Sequence, residues 1–168
     1  FSNISPPEKG RAEQLVEENF ILPKGHQFTI VKIFDGDTIQ VKGFGLKFTI
    51  RLVGIDTPEL GRKGQKPQPF SLRAKQKLTQ LIQKKTISLK QYGMGGYNRV
   101  LAEIFINGTN VNLEMVRSGL AEVYRGKRPK GFKAALYFQA EKRAQKSLKG
   151  MWIQGAAYKS PWQWRQFP

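Results

Sequence analysis

Residues 28–53 read FTIVKIFDGDTIQVKGFGLKFTIRLV, three apolar runs separated by two glycine-containing turns. Phe28–Phe34, Thr38–Lys42 and Lys47–Val53 are rich in Ile, Val, Thr and Phe in rough alternation, the period of half-buried strands. Asp35-Gly36-Asp37 and Gly43-Phe44-Gly45 supply the reversals, since Gly and Asp tolerate the backbone angles that tight hairpins demand. Three strands joined this closely form a meander with one face to bury.

The rest of the chain supplies the cover. Leu60–Pro69 holds two glycines, two prolines and three basic residues and reads as a mobile loop. Over Phe70–Lys85, Ala74, Leu78, Leu81 and Ile82 follow helical spacing. Thr86–Tyr92 and Arg99–Ile106 are strands again, with Gly93-Met94-Gly95-Gly96 as a flexible turn between them. Asn110–Ser118 is a short helix that Gly119 closes in the left-handed conformation, and Leu120–Tyr124 is extended. Phe132–Leu148 is a longer helix with Leu136, Ala140 and Ala144 on one stripe. The order is three strands, helix, two strands, helix, helix. It predicts an α+β, mainly β domain: a five-stranded Greek-key barrel of the OB type with three packed helices.

That domain is expected over residues 27–153. Residues 1–26 read as an N-terminal extension and linker. There Ser5-Pro6-Pro7-Glu8 has the form of a capping box with proline at the first helical position. A short helix through Glu17 or Glu18 and a Pro23-Lys24-Gly25 linker follow. Residues 154–168 form a tail containing tryptophan and proline.

Composition narrows the partner. The 168 residues carry 29 Lys and Arg against 12 Asp and Glu, a net charge of +17, which attracts polyanions such as a phosphate backbone, an anionic membrane or an acidic protein. Between Leu60 and Ala102 stand ten basic residues and no acid. A solvated face is the ordinary reading of such a run, but this one directly follows an acidic motif, which favours a substrate surface. Cysteine is absent, which excludes a disulfide framework and a thiolate metal site, and His26 is the only histidine, which argues against an imidazole-rich zinc site and a Ser-His triad. His26 is expected to be an ordinary residue where the linker meets the first strand. No apolar run reaches membrane-spanning length. The chain begins at Phe1, so a processed or trimmed form is expected, from a secreted or cell-envelope protein of a bacterium.

Against this basic background, the three aspartates stand in two short motifs. Asp35-Gly36-Asp37-Thr38 holds two of them; Gly54-Ile55-Asp56-Thr57-Pro58-Glu59 holds the third and a glutamate, with Arg51 just upstream. Carboxylates this concentrated suit a hard divalent cation held next to a phosphate. Taken singly, Asp35 and Asp37 could be turn residues, Asp56 and Glu59 could pair with Arg62 or Lys63, and Arg51 and Arg99 could be solvated strand residues. Their conjunction favours the functional reading. Tyr97 and Tyr124 stand between base stacking and rim packing.

From about Thr29 to Trp152 the chain resembles the staphylococcal nuclease family. The resemblance rests on Asp35-Gly36-Asp37-Thr38, on Arg51 through Glu59, and on Tyr97-Asn98-Arg99. Asn110-Val111-Asn112, Val116-Arg117-Ser118-Gly119-Leu120-Ala121 and Gly150-Met151-Trp152 follow in order. Pro161-Trp162-Gln163-Trp164-Arg165 looks like the tail of bacterial relatives. The resemblance implies that Asp37, Asp56 and the Thr57 carbonyl bind Ca2+. It implies that Arg51 and Arg99 grip the scissile phosphate and that Glu59 orients or deprotonates the attacking water. It implies cleavage of DNA and RNA, single-stranded or locally open, to 3′-phosphate ends by a monomer. Tyr97 and Tyr124 are substrate-binding candidates. The pattern is broken where Asn98 replaces a glycine, where Gly96 replaces a lysine, and where Arg125 and Lys127 stand in place of a second tyrosine.

Two other readings remain open at this point. One is a non-catalytic nucleic-acid-binding module on the same fold. The other is a basic protein adhering to anionic membrane through its aromatic, cationic end, Trp152 to Phe167.

Overall fold

The computed structural model describes residues 25–167; the helix and most of the linker expected before Gly25 lie outside them. The meander forms as its alternation requires. Strands β1 (Phe28–Ile33), β2 (Thr38–Gly43) and β3 (Leu46–Leu52) pair antiparallel in sequence. Ile39, Val41, Phe48, Ile50 and Leu52 point into the core, each contributing about 1.5–3 kcal/mol by leaving water.

β1 also pairs with β5 (Thr86–Gly95), β5 with β6 (Arg99–Ile106), and β6 returns parallel to β3 through Ile50↔Val100 and Leu52↔Ala102. That last pairing closes a five-stranded barrel in the order β3-β2-β1-β5-β6, the OB architecture expected from the strand spacing. Short β7 (Thr109–Asn110) extends β6, while β4 (Ile55–Asp56) and β8 (Glu122–Val123) form a separate pair outside the barrel wall.

Three helices cover the barrel: α1 (Ser71–Ile82), α2 (Val111–Arg117) and α3 (Ala135–Lys146). A one-and-a-half-turn helix, α4 (Pro161–Gln166), follows in the tail. α1 buries Ala74, Leu78 and Ile82 with Leu81 packed beside them, as its spacing predicts. Asn110 caps α2 by accepting from the Leu113 amide at 3.0 Å. Asn112, fully buried, donates to the carbonyls of Val53 and Ala102 and accepts from the Ile104 amide, all within 3.0–3.1 Å. It thereby satisfies backbone groups at the β3–β6 seam. Gly119 has φ 72°, and a Cβ there would lie 2.2 Å from the Lys149 carbonyl oxygen, so both its conformation and its neighbour require glycine.

Two expectations need correction. α3 starts at Ala135, not Phe132, and turns Tyr137, Ala140 and Ala144 inward while Leu136 is 61% exposed. The Tyr137 hydroxyl finds a buried partner in Glu103 at 2.6 Å, so Tyr137 takes the inward place expected of Leu136 while Ala140 and Ala144 keep theirs. The glycine run 93–96 is no loop: β5 continues to Gly95 over a bulge, and the chain reverses one step later at Gly96–Asn98. Leu60–Pro69 is pinned at its base, where Gln68 closes backbone and side-chain bonds with Glu59.

Candidate active site

The acidic motifs converge at one mouth of the barrel because three elements end there together. The β1–β2 hairpin delivers Asp35 and Asp37, the end of β3 delivers Arg51, and β4 with the turn after it delivers Asp56, Thr57 and Glu59. Gly36 allows this approach, since a Cβ there would lie 2.9 Å from both Ala74 Cβ and Thr57 Oγ1. Asp37 Oδ2 accepts from the Thr57 amide and hydroxyl, both at 2.9 Å, which ties the two motifs together. Asp35 Oδ1 accepts from the Asp37 amide at 2.9 Å and sets the turn.

Arg51 is the common partner. Its Nη2 lies 3.3 Å from Asp37 Oδ2 and 3.5 Å from Asp56 Oδ1, while Nη1 donates to the Leu52 carbonyl at 2.8 Å. On the same cleft, the β5–β6 reversal holds Tyr97 and Asn98 at φ 60° and 52°. The asparagine adopts the left-handed conformation expected of it, and Arg99 emerges beyond it. Its Nε donates to the Gly96 carbonyl at 2.9 Å and its guanidinium lies 5.5 Å from the Tyr97 ring. Tyr97 is 94% exposed, so it packs no core. Tyr124, just after β8, is half-buried on the same cleft. The cleft has a volume of about 550 Å³ and also takes in Arg62, Lys127 and Arg128. All eight residues singled out as site candidates are thus accounted for: Arg51, Asp56, Glu59, Arg99, Asp37, Tyr97 and Tyr124 line it, and Thr57 backs it through Asp37.

Burial raises two of these acids. Burial, then the charge of Asp37, pushes the Asp35 carboxyl up to about 7. Burial also raises Asp56, outweighing the hydrogen bond from Arg165 that opposes it. Hard oxygen donors crowded in this way suit a hard divalent cation. Among the described residues no three acidic or histidine side chains converge as a ready-made cage. A cation here would therefore draw on Asp37 and Asp56 and complete its shell with backbone oxygen and water, a donor set that fits calcium.

Two participants are not legible as site residues in the sequence. Arg165 of α4 reaches the acids from the far end of the chain: Nη2 lies 2.8 Å from Asp56 Oδ2, and Nη1 lies 3.1 Å from Asp56 Oδ1 and 2.6 Å from Glu59 Oε1. Gln68, buried, accepts from the Glu59 amide at 2.9 Å and donates to the Lys159 carbonyl at 2.8 Å. The available signals were the family-like tail Pro161–Arg165 and the capping box of Ser160 and Gln163, which marks a helix start just before Arg165. Arg125, by contrast, does not replace the missing tyrosine as a substrate contact. It bonds Glu141 at 2.6 Å and the Val123 carbonyl at 2.9 Å.

Residues 49–154 match the profile of the staphylococcal nuclease homologue family. An uncharacterized endonuclease of Haemophilus influenzae is 35% identical over 138 residues, covering 82% of this chain and 71% of its own. The micrococcal nuclease of Shigella flexneri is 32% identical over 148 residues, covering 82% of this chain and 79% of its own. A probable endonuclease LCL3 of Komagataella phaffii is 38% identical over 109 residues, 61% of this chain, which spans 48% of that longer protein. Profile, relatives and barrel agree: the chain belongs to the staphylococcal nuclease family and is a nuclease.

Proposed function

We infer that the protein is a calcium-dependent, sequence-nonspecific phosphodiesterase that cleaves DNA and RNA and leaves 3′-phosphate ends. The observation that carries this reading is the sharing of one guanidinium nitrogen, Arg51 Nη2, by Asp37 and Asp56, in a cleft also lined by Arg99 and Glu59. Asp37, Asp56 and the Thr57 carbonyl would hold the calcium, which when bound supplies Lewis-acid stabilisation of the phosphate.

The chain's own residues do the remainder. In-line displacement at phosphorus builds negative charge on the equatorial oxygens, and planar, permanently charged guanidinium forks match that geometry. Arg51 is held in place by the Leu52 carbonyl, and Arg99 by the Gly96 carbonyl, so neither must be ordered when substrate arrives. Glu59, half-buried beside Asp56, holds the attacking water and takes its proton. Tyr97 offers an exposed ring to a neighbouring base, which favours single-stranded or locally open substrate. Arg62, Lys127 and Arg128 attract the flanking phosphates without regard to sequence. A binding module would need none of the Glu59–Asp56–Arg51 arrangement, which argues for the enzyme.

Digestion of single-stranded DNA, duplex DNA and RNA with calcium, with magnesium and with chelator tests this. Calcium should support cleavage and chelator abolish it. Magnesium should support little, because its rigid octahedral shell demands stricter geometry than two carboxylates and a carbonyl offer. Products should resist polymerase extension until a phosphatase frees their 3′ ends. Equal turnover with magnesium, or any in chelator, overturns the assignment.

A further inference from the structure

The family profile ends at residue 154, yet the acidic side of the cleft is closed by a side chain beyond it. The path to that side chain is fastened at each step. The Trp152 ring packs on Tyr158 with centroids 4.6 Å apart. The Tyr158 hydroxyl donates to Glu122 Oε2 at 2.6 Å, and Glu122 is the cross-strand partner of Asp56. Gln68 then bonds the Lys159 carbonyl with one end of its amide and the Glu59 amide with the other. The side chain that fixes the Glu59 backbone therefore also fixes the entry to α4. Ser160 and Gln163 cap that helix reciprocally, at 2.8 and 3.1 Å, and Pro161 is buried.

What this scaffold presents is one guanidinium across two acids. Arg165 spans both oxygens of Asp56 and reaches Glu59 Oε1. Two carboxylates this close repel each other, and a charge-assisted fork between them removes the repulsion while setting their separation. Glu59 is a long side chain with several rotamers. A carboxylate that must hold a water in line with phosphorus gains from being confined to one of them.

We propose that Arg165 is a positioning residue of the active site: bridging Asp56 and Glu59 from the C-terminal helix, it fixes the Glu59 carboxylate for water activation. Residues 158–166 then belong to the catalytic apparatus. The inference rests on the reading that Glu59 acts on the attacking water.

The test uses the full chain with Arg165→Ala and Arg165→Lys. In Arg165→Ala, kcat should fall about 10- to 100-fold with KM for DNA within about threefold, the signature of lost positioning rather than lost binding. Arg165→Lys should recover part of the rate, because an ammonium group reaches one carboxylate at a time where the fork reaches two. Titration with calcium chloride alone should show affinity unchanged or tighter in Arg165→Ala, since a neighbouring positive charge has been removed. In metal-free protein, amide exchange over residues 57–68 should quicken in Arg165→Ala while strands β1–β3 keep their protection.

Parental or higher turnover in Arg165→Ala overturns the proposal, and higher turnover would make the contact an inhibitory latch. Unchanged exchange over residues 57–68, or calcium affinity lost in parallel with kcat, overturns it as well. If the parent itself does not cleave with calcium, the nuclease chemistry proposed above fails, and the exchange measurement still decides whether Arg165 holds Glu59.

Discussion

Two sets of acids lie in this small domain, and they differ in how they are satisfied. Behind the barrel, Glu103 is enclosed by the hydroxyls of Tyr92 and Tyr137, each at 2.6 Å, and by the Asn110 amide at 3.0 Å. Glu141 is intermediate: one oxygen accepts from the Val123 amide at 2.8 Å and the other from Arg125 at 2.6 Å. At the barrel mouth, Asp56 and Glu59 meet the guanidinium groups of Arg51 and Arg165 beside an open cleft, while Asp37 adds fixed bonds from Thr57. Fixed neutral donors make a carboxyl part of the frame. In the function proposed above, acids beside an opening can take a cation while the guanidinium groups beside them take a phosphate. The difference separates acids that hold the fold from acids that work on a substrate.

The largest effects should come from the mouth. Glu59→Gln, Arg51→Ala and Arg99→Ala should each lower turnover about 10²- to 10³-fold, about 3–4 kcal/mol of transition-state stabilisation. Affinity for long DNA, read by anisotropy, should fall far less and weaken steeply with salt. Parallel loss of binding and rate would make these residues general contacts and erase the contrast.

Glu103→Ala should do the reverse. Leaving two tyrosine hydroxyls and an amide without their buried acceptor should cost about 2–4 kcal/mol in urea unfolding, with activity per folded molecule retained. Asp37 bridges the two classes, since it also holds the Thr57 amide. Asp37→Asn keeps an acceptor and should abolish cleavage at little cost in stability, whereas Asp37→Ala should lose a further 1–3 kcal/mol or so by orphaning that amide.

A smaller effect is expected from pH. Burial is the first cause that pushes Glu122 from its ordinary 4.5 up to about 7 and Asp35 from 3.8 up to about 7. The folded state therefore holds these protons more tightly than the unfolded chain. The stability they contribute is complete below about pH 4 and is lost as pH rises to about 7, on the order of 1–3 kcal/mol per group. Melting of metal-free protein across that window should show the decline, and Glu122→Gln should flatten it. A metal-free protein that gains stability from pH 5 to 7 would contradict this. Smallest is Tyr97→Ala, which should weaken single-stranded DNA binding by about 1–2 kcal/mol through lost stacking, with no change in melting temperature because the ring is 94% exposed.

The barrel was legible because strand alternation and Asp-Gly turns are local signals. The α3 face was not. Leu136 and Tyr137 are both apolar enough for the core, and only Glu103, 34 positions before Tyr137, decides that the tyrosine turns inward. The glycine run 93–96 misled for a related reason: glycine permits a turn but does not compel one, and pairing with β6 kept the strand going.

The sequence by itself determined the class of chemistry. Three aspartates confined to two motifs in a chain of net charge +17, with arginines at set distances, are the basis of the nuclease reading and of the cation proposed with it. Only the tertiary structure decided which of the other basic residues joins them. Arg165 lies 106 positions from Glu59, and its local sequence, a capped tail helix, does not say which acids it meets, just as nothing near Arg125 says that it braces Glu141. A charge declares its sign in sequence, but its partner depends on where the chain brings it, and here a buried Gln68 and a capped last helix brought Arg165 to the acids.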